Sequence, residues 1–144
     1  MRTALLAHPL DPAALLAEVQ RHANGAALLF VGTVREVNEG RPVSGIDYQA
    51  YAGMAERQLA LIVRDACSRF GTDDIVVEHR TGELALGEAS VVIAVAHPHR
   101  GEAYEASRWI IEEVKRRVPI WKREHYTDGS RAWVDPTRRA AGDT

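Results

Sequence analysis

Between Lys115 and Glu124 the chain reads KRRVPIWKRE, and the proline at its centre restricts the fold more than any other residue. Upstream, Ala106, Ile110, Val114 and Val118 recur at helical spacing, so residues 102–118 predict a long amphipathic helix. Pro119 disfavours helical geometry in the residue before it, which ends that helix. Downstream, residues 120–126 and 131–134 flank Asp128-Gly129, a pair that favours tight hairpin turns. The chain thus passes from a long helix straight into a hairpin, and any fold must seat the helix beside a sheet.

The rest of the sequence fits that requirement. Asp11-Pro12 is a cap residue followed by proline at the first helical position, opening a helix over 11–19. Residues 26–34 (AALLFVGTV) predict a largely buried strand. Composition makes 38–42 (NEGRP) a loop. Residues 44–51 alternate as a half-buried strand. Met54, Leu59, Ile62, Val63, Ala66 and Phe70 mark a second amphipathic helix, closed by Gly71. Residues 75–79 and 89–96 predict two further strands, joined by a connection carrying Gly82 and Gly87. The predicted order is helix, two strands, helix, two strands, helix, hairpin, which is a mixed antiparallel α+β class. At 144 residues one domain over 1–134 is expected, large enough to bury a core. The tail at 135–144 offers nothing to bury and is expected to be flexible.

Charge raises the functional question. The formal net charge is -2, so any anion site must be local. Five cations nevertheless crowd the KRRVPIWKRE stretch. Lys115, Arg116 and Arg117 fall in the last helical turn, where cations complement the helix dipole. That does not account for Lys122 and Arg123, which follow the proline on a strand. Lys115 projects near Ile111, at the margin of the apolar stripe. A lysine partly desolvated among other cations loses proton affinity from its reference near ~10.4 and can serve as acid, base or nucleophile. Trp121 and Lys122 must face opposite sides of their strand.

Two further basic points stand out. In AVAHPHRGE, His99 and Arg100 sit where a buried strand gives way to a helix, and helix N-termini attract anions. Read alone, a capped helix with an exposed arginine explains them as well. Arg35 ends the FVGTVR strand, in which Gly32 marks a bulge or a close backbone approach. Cys67 is the single cysteine and reads as core packing, as His79 reads as structural. The remaining histidines show no metal-ligand spacing, so no metal is expected. There is no P-loop, no signal-peptide pattern and no apolar run near the ~18 residues of a membrane span. A reducing cytoplasm is the expected compartment.

The series FVGTVRE from Phe30, YQAYAGMAE from Tyr48, EHRTGELALGE from Glu78, His99-Arg100, Lys115 with VPIWKRE, and DGSRAWV resembles the large, catalytic subunit of molybdopterin synthase. The likeness runs from about Pro9 to Val134. It implies an α/β-hammerhead with an additional antiparallel sheet. It also implies a sulfurtransferase without a cofactor of its own, a homodimer within a heterotetramer. Its partner is a small ubiquitin-like carrier whose Gly-Gly tail ends in a thiocarboxylate. The sulfur acceptor is cyclic pyranopterin monophosphate, converted to the dithiolene of the molybdenum cofactor.

Carried over, the catalytic lysines fall on Lys115 and Lys122, and the substrate-binding residues on Arg35, His99, Arg100, Arg123 and Glu124. Lys115 is expected at the carrier-tail carbonyl and sulfur, and Lys122 as acid or base at the pterin. Thr33 stands where some members carry lysine. The rival reading from the residues is a non-catalytic nucleotide- or RNA-binding module. It would stack bases on Trp121 or Tyr126 and hold phosphates with Lys122 and Arg123. The net charge and the absence of an extended basic stripe count against it, so no nucleic-acid partner is expected.

Overall fold

The computed structural model describes residues 1–134; the tail at 135–144, expected to be flexible, lies outside the described residues. The order is β1 (Arg2–Leu6), α1 (Pro12–Val19), β2 (Ala26–Thr33), β3 (Val37–Asn38), β4 (Arg41–Ala50), α2 (Ala52–Phe70), β5 (Ile75–Arg80), β6 (Gly82–Ala85), β7 (Ala89–His97), α3 (Arg100–Arg117), β8 (Ile120–Tyr126) and β9 (Arg131–Val134). The expected α+β sequence of elements is present, with β1, β3 and β6 added to it.

Two sheets organise these elements. The first runs β1-β5-β7-β2. Only β1 and β5 are parallel there, and β7 pairs antiparallel with β5 and β2. Strands β5 and β7 are buried along both faces, which is why they read as continuous apolar runs. Alternation sorts their side chains. Ile75, Val77, Val91, Ile93 and Val95 join the core under α2 and α3, while Val76, Val92, Ala94 and Ala96 face Leu15 and Val19 of α1. Burying one such aliphatic side chain contributes about 1.5–3 kcal/mol.

The second sheet runs β3-β4-β8-β9, with β6 also paired to β4. Ile46, Tyr48, Ile120 and Tyr126 carry the larger core into this sheet. Pro119 acts as expected: Val118 leaves helical geometry at ψ 124°, and β8 begins two residues later. Asp11 caps α1 by accepting from the Ala14 backbone N–H at 3.2 Å.

Three local readings change. The apolar start of the chain is a strand, aligned in parallel with β5 from Arg2↔Val76 to Leu6↔Arg80. Its partner is about seventy residues away, so no local turn signal announces it. The stretch read as a loop at 38–42 is a tight hairpin. Glu39 and Gly40 both have positive φ, 50° and 78°, as a type I′ turn requires, so β4 starts at Arg41. The connection after β5 contains β6, which pairs with β4 from Gly45↔Ala85 to Tyr48↔Gly82.

Candidate active site

One pocket collects residues from the far end of β2, from β4, the start of β7, the last turns of α3, and β8. Its cationic side chains are Arg35, Lys115 and Lys122, and its carboxylate is Glu124. The cavity among them is small, about 30 Å³, and opens to solvent.

Each group is delivered by a local rule. Lys115 lies one turn beyond the buried Ile111 on α3, so both face the pocket. Lys122 shares a face of β8 with Ile120, Glu124 and Tyr126, the buried positions of that strand. Trp121 faces the other way, with its ring edge-on to Tyr51 at 4.9 Å. Gly32 behaves as both expectations required. The pairing of β2 with β7 shifts register between Gly32 and Thr33. A Cβ on Gly32 would lie 2.7 Å from Val91 Cγ1. Ser90 Oγ donates to the Gly32 carbonyl at 3.2 Å. Beyond that bulge, Thr33 and Arg35 reach the pocket wall.

The pocket floor is a buried carboxylate. Glu124 is 1% exposed. Its Oε1 accepts from Asn38 Nδ2 at 2.6 Å and stands 3.3 Å from Lys122 Nζ. Its Oε2 has no hydrogen-bond partner among the described residues. A charge so placed is tolerated when paired and is costly when its partner is removed.

A second buried group lies beside Lys115. His79 is 3% exposed, donates from Nδ1 to the Arg80 carbonyl at 2.8 Å, and packs its ring edge-on to Tyr48 at 5.4 Å. Burial lowers its pKa to about 4, with the positive charge of Lys115 acting in the same direction and the Arg80 carbonyl opposing. The ring is therefore neutral at pH 7. Tyr48, also on the pocket wall, is raised by burial, with its hydrogen bond to Ser90 acting the other way. Cys67 lies buried in α2. Burial pushes its thiol up, the opposite of what an attacking thiolate needs.

The model of the MoaE protein family matches residues 5–117. The chain belongs to the MoaE family. Among the relatives, the molybdopterin synthase catalytic subunit of Emericella nidulans is 40% identical over 132 residues, 92% of this chain and 68% of that one. The one of Synechococcus elongatus is 46% identical over 127 residues, 88% of this chain and 76% of that one. Molybdopterin synthase from Staphylococcus aureus superposes with a TM-score of 0.85 at 33% identity, over 91% of this chain and 95% of that chain. The α/β-hammerhead with an added antiparallel sheet is thus the fold observed. The MoaE chain is a sulfurtransferase of molybdenum cofactor biosynthesis, as the resemblance implied.

Against that identity, the expected site residues divide. Arg35, Lys115, Lys122 and Glu124 meet in the MoaE pocket. Arg123 faces the other side of β8. It pairs with Asp47 Oδ2 at 3.3 Å and stands 5.2 Å from the centre of the Trp133 ring. His99 is the N-cap of α3 and Arg100 its first residue, both exposed. Along α3, which starts at Arg100, a rise of ~1.5 Å per residue sets them roughly 22–24 Å from Lys115. The pocket also includes Asn38, Tyr48 and Ser90, which the sequence reading did not select. One signal was available in composition: Lys115 and Lys122 are the only lysines in the chain, and its other formal cations are all arginines.

Proposed function

We propose that this chain is the large subunit of molybdopterin synthase, taking sulfur from the C-terminal thiocarboxylate of a small ubiquitin-like carrier and giving it to cyclic pyranopterin monophosphate. The observation that carries the reading is the convergence of the chain's two lysines with Arg35 in one pocket. A sulfur-transfer site must hold two anions together, the substrate phosphate and the thiocarboxylate. At ~6 Å and an effective dielectric of ~20, two unit charges repel by about 3 kcal/mol. Fixed cations offset that and favour the charge that develops in transfer.

In this reading the carrier sulfur bonds to a side-chain carbon of the pterin as that carbon's bond to oxygen breaks, the oxygen leaving with a proton from Lys122. Water then cleaves the acyl–sulfur bond, which leaves the carrier a carboxylate and the pterin a thiolate. Lys115 faces the acyl carbonyl and sulfur. Lys122 moves the proton at the pterin, and Arg35 holds phosphate. A second delivery completes the dithiolene. The compartment is taken as the cytoplasm; no helix among the described residues is long and apolar enough to cross a membrane.

His99 and Arg100 join this scheme through a second copy of the chain. At roughly 22–24 Å along the helix they do not reach the Lys115 pocket of their own protomer. A homodimer that lays the start of one α3 over the neighbour's pocket completes the phosphate seat, with a carrier docked at each pocket. Mixed dimers test this. Lys115→Ala and Arg100→Ala protomers, each inactive alone, recover turnover on mixing if the site is shared. No recovery excludes sharing. The reaction itself is tested by single-turnover assay with thiocarboxylated carrier and cyclic pyranopterin monophosphate. Dithiolene product supports the synthase reading, and carrier binding without product points to a scaffold subunit.

A further inference from the structure

We propose that Asn38 is a positioning residue for the transfer site, holding Lys122 in place through the buried carboxylate of Glu124. This rests on the proposed role of Lys122 and adds a residue to that role. The tight turn at Glu39-Gly40, positive in φ at both residues, sets Asn38 opposite Arg41 at the end of a two-residue strand. From there the Asn38 amide reaches Glu124 Oε1 at 2.6 Å, across 86 residues of sequence. The same oxygen faces Lys122 Nζ at 3.3 Å. Glu124 Oε2 is buried without a hydrogen-bond partner among the described residues, and the Tyr126 hydroxyl also interacts with this carboxylate. Without the amide, the carboxylate loses the shortest of the contacts that define its rotation. Lys122, which is 21% exposed in its side chain, then loses a fixed acceptor.

The lysine content of the chain makes the test specific. Protein labelled with ¹⁵N at lysine Nζ gives signals from Lys115 and Lys122 alone. In the full chain carrying Asn38→Ala, the Lys122 signal is expected to shift or broaden while the Lys115 signal holds. The turnover number should fall about tenfold, inside the ~10²-fold that a ~1 Å displacement costs a positioned group. KM for the thiocarboxylated carrier should stay unchanged. Asn38→Leu, which keeps the bulk and removes the donor without adding charge, gives the same reading should the alanine variant fail to fold. Asn38→Gln, which keeps the amide, should recover part of the rate. An unmoved Lys122 signal in Asn38→Ala or Asn38→Leu overturns the proposal, and so does wild-type turnover despite a moved signal. The resonance arm needs no turnover, so a wild-type chain inactive in the assay would refute the synthase reading and leave this one to be decided by the spectrum.

Discussion

The two faces of β8 carry the same kind of pair and use it differently. On the inner face Lys122 stands beside Glu124, whose carboxylate is 1% exposed. On the outer face Arg123 pairs across the sheet with Asp47, at 30% and 13% exposure. The outer guanidinium has its own carboxylate and an aromatic ring beside it. The inner ammonium opens on a pocket that holds two more cations. Strand alternation splits what reads in sequence as one basic cluster into a part-buried pair on one face and a pocket-facing pair on the other. Counting cations along the chain overstates the site, and following their faces defines it.

The largest effect expected from breaking this difference is on turnover. Lys122→Ala should reduce single-turnover transfer by ~10²-fold or more, the scale of a lost acid–base group. Arg123→Ala should leave transfer near wild type, measured in the same assay. Equal losses in the two variants would erase the distinction between the faces.

Stability should divide in the same way. Glu124→Ala removes the buried partner and is expected to cost about 3 kcal/mol in denaturant unfolding. Asp47→Ala, on the more exposed pair, should cost about 0.5–1 kcal/mol.

Acid sharpens the contrast further. The pKa of His79 is about 4 in the folded chain against 6.5 when unexposed to its surroundings. The unfolded chain therefore binds the extra proton first. Stability is fully present above about 6.5 and declines as pH falls toward about 4, by roughly 3 kcal/mol in total. Unfolding measured across that window should show the decline, and His79→Phe should flatten it.

A further modest effect lies away from the pocket. Asp11→Ala removes the cap of α1 and should cost about 1 kcal/mol with transfer unchanged.

Much of the fold was legible because its signals are local. Pro119, the apolar stripe on α3 and the continuous apolar runs of β5 and β7 each state their geometry within a few residues. Gly32 announced its bulge through the absence of a side chain. The missed elements depend on partners far along the chain. β1 finds β5, and β6 finds β4, by contacts that no short window contains. The site was legible in its lysines, in Arg35 and in Glu124. Asn38 was hidden inside a segment whose composition reads as loop, because its meaning comes from a carboxylate 86 residues away. The separation of His99 and Arg100 from Lys115 was present in the helix length, since one α3 connects them. Arg123 was separable from Lys122 by the same alternation already applied to Trp121.

The central claim is that the chain's two lysines form one sulfur-transfer site. Single-turnover transfer by Lys115→Ala, with carrier binding measured in parallel, tests it most directly. Dithiolene formation should be lost while the thiocarboxylated carrier still binds. Product formed at the wild-type rate in that variant would contradict it.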